Sequence, residues 1–243
     1  MGQLSVDLKP NKSNLYLVFS HHEQPEDLYI EVDKEYSTDV HVMYNGDGDR
    51  IEAFSEGELA QKWFTEVTRV EVMLVRSFSI NNSTTHGFES GFQLQKEDIK
   101  RAGHGDAAYH LLTNKSLSHL QTKINEPGLV LNADQFRPNI VIDGIEPDEE
   151  DNIREMLDVD NNTIFRIVKH CVRWKTPTFN SKLKDYNESG EPLASLRTYK
   201  TIKSLGSVFG VYLQADKECV IKVGDKIKYN TSYSRRGFRL NAA

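Results

Sequence analysis

Short apolar segments separated by polar turns dominate the hydrophobic pattern of this chain. Leu15–Phe19 and Leu28–Val32 favour β-structure and enclose a polar turn with a proline, which predicts a hairpin. Val40–Tyr44 alternates apolar and polar positions, as a half-buried strand does. Val70–Val75 is almost continuously apolar, which predicts a strand buried on both faces.

Helical spacing occurs in two places. Ser55 and Glu58 have the spacing of a capping box, which predicts a helix directly behind them. The apolar stripe of this helix would comprise Leu59, Trp63 and Val67. A strand at Tyr109–Thr113 precedes a second helix, with Thr113 or Asn114 as its N-cap. The apolar stripe of this second helix would comprise Leu117, Leu120 and Ile124.

Strands are predicted throughout the second half of the chain. They cover Phe136–Gly144, Phe165–Cys171, Leu196–Ile202, Val208–Ala215 and Val220–Lys228. The sequence therefore predicts an α+β protein that is mainly β. An acidic run at residues 146–151 interrupts this pattern, and we expect it to be a solvated helix start.

Charge and cysteine content narrow the range of functions. The net charge of −6 and the pI near 5.8 argue against a nucleic-acid partner, because a protein that binds nucleic acid needs a basic face. The two cysteines, Cys171 and Cys219, provide no disulfide framework for 243 residues, as is typical of a reducing compartment. The N-terminal residues resemble neither a signal peptide nor a transit peptide, and no apolar run is long enough for a membrane span. We therefore expect an intracellular protein, either cytoplasmic or mitochondrial.

Several sequence blocks carry a resemblance to a known family. They are Phe136–Gly144 with its Arg-Pro-Asn start, the segment Cys171–Trp174, Val208–Tyr212, and Ile221–Asp225. In this order they resemble the MOSC domain of molybdenum-cofactor sulfurases and amidoxime-reducing components. The resemblance implies a MOSC-type β-barrel with peripheral helices. It also implies a shortened, β-rich N-terminal portion at residues 1–105 and the MOSC domain at residues 106–243.

The same resemblance implies a binding site for the pterin of the molybdenum cofactor. Arg137 and Asn139 would hold the pterin, Thr113 and Ser116 would line the adjacent turn, and Arg173 would lie nearby. An Arg fork matches phosphate geometry, and Asn can both donate to and accept from a pterin edge. The alternative is that Arg137 pairs with a carboxylate of residues 148–151 and holds the turn.

The position of the metal ligand departs from the family pattern. The cofactor-binding relatives have Cys-x-Arg-Cys, and the second cysteine provides the thiolate, whereas this chain has Trp174 there. An indole only donates a hydrogen bond, so it cannot replace a thiolate. Cys171 lies three residues earlier, which places it on the opposite face of an extended strand.

Three functions follow as hypotheses. The first is a molybdenum-cofactor-dependent oxidoreductase that reduces N-hydroxylated compounds with electrons from a haem or flavin protein. The second is a MOSC scaffold or binding protein without molybdenum. The third is a sulfur carrier through Cys171, which requires an exposed thiol of lowered pKa.

Overall fold

A computed structural model describes residues 4–11, 14–34, 40–44, 50–77, 109–180, 185–231 and 241–242. The chain divides into two compact units, Met1–Ile80 and Asn81–Ala243. The domain boundary predicted at residues 105 and 106 lies outside the described residues and stays a prediction. Within the described ranges, no helix is both long and apolar enough to cross a membrane.

The first unit contains two antiparallel sheets and a helix. The described strands of the first sheet are β1 (Leu4–Asn11), β2 (Asn14–His21) and β3 (Leu28–Glu31). Those of the second sheet are β4 (Val40–Tyr44), β5 (Arg50–Ser55) and β6 (Val75–Ser77). Helix α1 spans Glu58–Thr68 and packs Ala60 and Trp63 against apolar residues of β3. The predicted hairpin is confirmed, whereas strand β1 was not predicted.

The start of α1 differs from the prediction. Gly57 is the N-cap and has no side chain, while the Ser55 hydroxyl accepts a hydrogen bond from the Gly57 amide (3.1 Å). The predicted capping box is therefore wrong. Trp63 and Val67 of the predicted apolar stripe are confirmed, but Leu59 is 81% exposed and Ala60 is buried in its place.

The strand predicted at Val70–Val75 is also wrong over most of its length. Val70 and Met73 are exposed, and regular strand structure begins only at Val75. The segment runs back along α1, where the Val72 amide donates to the Thr65 hydroxyl (3.3 Å). This contact replaces the backbone pairing of a strand.

The second unit is built on one large sheet. Its described elements are, in chain order, β7 (Tyr109–Thr113), α2 (Asn114–Lys123), β8 (Ile140–Ile142), β9 (Glu155–Asp158), β10 (Thr163–Val172), β11 (Phe179–Asn180), β12 (Asp185–Tyr186), α3 (Leu193–Tyr199), β13 (Thr201–Ile202), β14 (Gly206–Ala215), β15 (Ile227–Asn230) and β16 (Asn241–Ala242). The sheet order is β16-β15-β9-β10-β14-β7-β8, and β7 and β8 form its parallel pair. The sheet curls into a partial barrel, so the prediction of a mainly β, MOSC-type α+β fold is confirmed.

This sheet is buried on both faces. Consecutive residues of β7 point to opposite sides, so Leu111 joins one apolar cluster and Leu112 joins the other. The cluster inside the curl includes Met156 and Phe165, whereas the outer cluster includes Leu120 of α2. The two clusters fix the strands from which the candidate site projects.

Not every predicted element of this unit forms. The strand predicted at Leu196–Ile202 forms only at β13, because helix α3 buries Leu193 and Leu196 at helical spacing against the sheet. Most of Val220–Lys228 forms a turn, in which the Asp225 amide donates to the Lys222 carbonyl (3.1 Å). The strands within β7, β10 and β14 and the Thr113 cap of α2 are confirmed.

Candidate functional site

Arg173 and Asn139 both contact His110, Arg173 at the imidazole and Asn139 at the backbone. The His110 amide donates to Asn139 Oδ1 (2.9 Å), and the Asn139 amide donates to the His110 carbonyl (2.8 Å). Arg173 Nη2 donates to His110 Nε2 (2.5 Å). His110 therefore connects two of the residues implied by the family resemblance.

The guanidinium of Arg173 is turned towards backbone carbonyls. Nε and Nη2 donate to the Phe209 carbonyl at 2.9 and 2.6 Å, and Nη1 donates to the Phe136 carbonyl (2.9 Å). The same group lies 5.4 Å from the centre of the Phe136 ring. No carboxylate in the described ranges lies within ion-pair distance of it. Arg173 therefore ties β10 to β14 and to the turn before β8.

Electrostatics fix the protonation state of His110. Burial and, second, the positive charge of Arg173 lower the pKa of His110 to about 3. Burial likewise lowers the pKa of Arg173, but an arginine stays charged in proteins. The neutral imidazole of His110 accepts a hydrogen bond from Arg173 at Nε2, so its single ring proton lies on Nδ1.

Gly210 makes this arrangement possible. Its φ of +73° favours glycine, and an added Cβ would lie 2.4 Å from the Leu111 carbonyl oxygen and 2.5 Å from His110 Nε2. The segment Val208–Tyr212 belongs to a predicted strand and to the blocks that carry the family resemblance. Its glycine provides the space in which the imidazole lies beside β14.

Arg137 is exposed and differs from Arg173 in its contacts. It adopts the left-handed conformation (φ 55°) after a short 3-10 helix, Ala133–Phe136. Among the described residues its guanidinium forms no ion pair. The alternative pairing with the acidic run is not observed, and the cation paired with Asp148, Glu150 and Asp151 is Lys200.

The two hydroxyl residues implied for the cofactor turn are fully buried. Thr113 Oγ1 accepts from the Ser116 amide (3.0 Å) and donates to Ser116 Oγ (2.7 Å). Ser116 Oγ in turn contacts Glu150 Oε2 (2.8 Å) and the Asp148 amide (2.8 Å). Their hydroxyls thus hold the acidic run against α2, and a cofactor contact at either residue stays a prediction.

The acidic run does begin a short helix, the 3-10 helix Glu149–Asn152, but the prediction that the run is solvated is wrong at Glu150. Glu150 is 0% exposed. Lys200 Nζ lies 2.5 Å from Asp148 Oδ1, 3.1 Å from Asp151 Oδ2 and 3.7 Å from Glu150 Oε1. We call these four residues the Lys200 cluster. Two histidines border it, with His119 Nδ1 lying 3.2 Å from Asp148 and His170 Nε2 lying 3.8 Å from Asp151.

Burial and mutual repulsion control the charges of this cluster. Burial raises the pKa of both Glu150 and Asp151, although Lys200 acts in the opposite direction. Burial would lower the pKa of Lys200, but attraction to its carboxylates outweighs burial and raises it. The described residues contain no group of three or more His, Cys, Asp or Glu that could hold a metal ion.

Trp174 and Cys171 occupy contrasting environments. Strand β10 ends at Val172, and Trp174 follows it with 79% of its surface exposed. Cys171 is 3% exposed within the strand. The Arg-Pro-Asn turn and the end of β10 are neighbours, because Arg173 donates to the Phe136 carbonyl. Asp106 and Ala107, which the resemblance places near a cofactor phosphate, lie outside the described residues.

Sequence reasoning missed His110 and Lys200. A histidine inside the apolar strand Tyr109–Thr113 is a usable signal, because a buried imidazole requires hydrogen-bond partners. Lys200 gives no comparable signal, since the helix that positions it was predicted to be a strand.

Comparison with known proteins agrees with this fold. The family model described as the MOSC domain matches residues 98–228, which is more than half of the chain. The chain therefore belongs to the MOSC domain family, as the sequence resemblance predicted.

The relatives fall into two groups. Mitochondrial amidoxime reducing component 2 of Rattus norvegicus is 27% identical over 181 residues, which cover 70% of this chain and 51% of that protein. The Bos taurus protein of the same name is 27% identical over 184 residues, with the same shares covered. Molybdenum cofactor sulfurase of Arabidopsis thaliana is 22% identical over 246 residues, which cover 93% of this chain and 27% of that protein. The chain thus spans about half the length of the mammalian relatives.

Proposed function

We propose that this chain is a MOSC domain that has kept the barrel and serves as a binding or scaffold protein without molybdenum. The observation that carries the proposal is Trp174, which stands in the place of the family's metal ligand and faces solvent. An indole N–H has no lone pair for a metal.

The surrounding side chains also do not fit the cofactor. Thr113 and Ser116 are buried. The Thr113 hydroxyl donates to Ser116 Oγ, which in turn donates to Glu150 of the Lys200 cluster. Arg173 directs its donors to carbonyls of its own chain. Asn139 Oδ1 accepts from the His110 amide. Of the five residues implied by the resemblance, Arg137 is the one whose side chain makes no hydrogen bond or ion pair within the described ranges.

A second candidate is the reductase of N-hydroxylated compounds supplied by a haem or flavin protein. It is favoured by the exposed Arg137, a fork of donors suited to a phosphate group, and by the amidoxime-reducing relatives. Sulfur transfer through Cys171 has less support, because an attacking thiolate must be accessible and this side chain is buried.

Metal analysis distinguishes the proposals. The protein is produced in a host that makes the molybdenum cofactor, and bound molybdenum is measured by mass spectrometry alongside the fluorescence of the oxidised pterin. We expect molybdenum far below one atom per chain. Molybdenum near one atom per chain would overturn the proposal in favour of the reductase.

Two variants locate the cause of the missing metal. Trp174→Cys restores the family's thiolate, and Lys175→Cys is its matched control at the next exposed position. Metal gained by Trp174→Cys alone would assign the loss to this single residue. If neither variant gains metal, the loss of metal binding is also due to the polar side chains that already form hydrogen bonds within the protein.

A further inference from the structure

A cavity of about 430 Å³ lies at the edge of the large sheet, apart from the candidate functional site described above. Strand β8 forms one wall, and residues 221–227 form the opposite wall. Arg137, Asn139 and Arg173 are not among its lining residues. The volume falls within the range of small-molecule sites in proteins, roughly 300–1,000 Å³.

The inner wall of the cavity is apolar. It comprises Ile140, Ile142, Met156, Phe165 and Ile227. Towards solvent the apolar surface continues through Val141, which is 42% exposed, and Val223, which is fully exposed. An apolar surface that extends from the core to the surface favours the hydrocarbon part of a ligand, because both lose contact with water on binding.

The carboxylates that line the cavity accept hydrogen bonds from other groups of the protein. Asp143 Oδ2 accepts from Asn114 Nδ2 (2.9 Å), and Asp225 Oδ2 accepts from the Lys222 amide (2.6 Å). The third carboxylate, Asp158, is buried and accepts from donors of its own turn.

Two lysines of the lining remain available. The side chains of Lys222 and Lys226 are exposed, and neither ammonium group has a partner among the described residues. The free charged donors of the lining are therefore these two ammonium groups, whereas each carboxylate of the lining already accepts at least one hydrogen bond.

We propose that this cavity binds an amphipathic anion, namely a medium-chain fatty carboxylate. Its hydrocarbon chain contacts the apolar wall, and its carboxylate is held at the mouth by Lys222 or Lys226. The two sites have no lining residue in common, so this binding requires neither molybdenum nor a pterin and stands independently of the function proposed above.

Fluorescence titration tests the proposal. The full chain is titrated with 8-anilinonaphthalene-1-sulfonate, an apolar anion that fluoresces in dry sites, and decanoate is added as a competitor. We expect saturable binding and displacement by decanoate. Val141→Asp places a charge on the apolar wall and should weaken decanoate by about tenfold. Val130→Asp, at an exposed valine outside the lining, is the matched control.

Reversing the charge of the two lysines tests whether they bind the carboxylate head group of the ligand. The variant Lys222→Glu/Lys226→Glu should weaken decanoate by roughly two- to fivefold, as expected for exposed ion pairs. Lys203→Glu, an exposed lysine elsewhere in the same unit, should leave the affinity unchanged. Because the replaced lysines are exposed, these variants should retain the circular dichroism spectrum and the melting temperature of the parent.

Three results would overturn the proposal. The first is the absence of saturable binding, and the second is an equal effect of Val141→Asp and Val130→Asp. The third is stronger competition by decyltrimethylammonium or decanol than by decanoate. This result would mean that the cavity mouth prefers a cationic or an uncharged head group to a carboxylate.

Discussion

Two buried or half-buried cations in the second unit, Arg173 and Lys200, are stabilised in opposite ways. Arg173 contacts two backbone carbonyls and a neutral imidazole, without a carboxylate among the described residues. Lys200 contacts three carboxylates. The planar guanidinium distributes its charge over several neutral dipoles, whereas the compact ammonium requires counter-charge.

This contrast explains how the residues implied by the family are used here. The Arg173 network aligns β7, β8, β10 and β14, while Thr113 and Ser116 serve the Lys200 cluster. Residues that a cofactor site would use as donors therefore act as structural contacts. The two regions also differ in their response to pH, because the pKa of His110 is lowered while those of Glu150 and Asp151 are raised.

The largest predicted effect is at Lys200. Lys200→Met leaves three neighbouring carboxylates without their cation, so we expect a loss of about 3–5 kcal/mol in the free energy of unfolding. Urea denaturation at pH 7 measures this loss, and Lys203→Met is the exposed control. Part of the loss should be recovered at pH 5, because the carboxylates of the variant can take up protons. A loss below about 1 kcal/mol would mean that the cluster is solvated after all.

Gly210 gives the next effect and tests the other region. Gly210→Ala combines a positive φ with a contact of 2.4 Å to the Leu111 carbonyl oxygen, so we expect a loss of at least about 2 kcal/mol. Gly224→Ala is the matched control, because its φ is +100° but no atom lies within 4 Å of the added Cβ. Equal losses in the two variants would show that backbone strain alone matters and that the His110 contact does not.

The pH dependence of stability sharpens the comparison. Below pH 6.5 the unfolded chain protonates His110, whereas the folded chain does so only near pH 3. The contribution of His110 is thus fully present above pH 6.5 and is lost as the pH falls, by about 1.4 kcal/mol per pH unit. Glu150 and Asp151 act in the opposite direction, since a raised carboxyl pKa favours the folded state at low pH.

The variant His110→Gln isolates the contribution of His110 to the pH dependence of stability. Between pH 6.5 and pH 4, its free energy of unfolding should fall less steeply with pH than that of the parent. The difference in slope should be at most that of one bound proton, about 1.4 kcal/mol per pH unit. His22→Gln, at an exposed histidine of the first unit, is the matched control for the loss of a histidine. Identical slopes in all three proteins would contradict a neutral, buried His110.

Much of the fold could be predicted from the sequence, because local patterns determine it. Strands β7, β10 and β14 and the Thr113 cap follow from apolar alternation and capping chemistry. Helix α3 could not be predicted in this way, since its short apolar spacing also suits a strand. The Lys200 cluster escaped for a related reason. A run of acidic residues predicts an exposed segment. Here the segment is buried because the tertiary fold brings Lys200, from a distant part of the chain, into contact with its carboxylates.

The smallest predicted effect is at Arg137, and it tests the alternative that this residue holds its turn. Arg137 is exposed and has no ion pair in the described part of the chain, so Arg137→Ala should change the free energy of unfolding by less than about 0.5 kcal/mol. Arg137→Gly should be as stable as the parent or slightly more stable, because glycine adopts a φ of +55° without steric cost. Urea denaturation of both variants provides the measurement. A loss above about 1 kcal/mol in both would mean that the guanidinium does pair within the protein. It would then no longer be available to a ligand, and Arg137 would resemble Arg173 in its role.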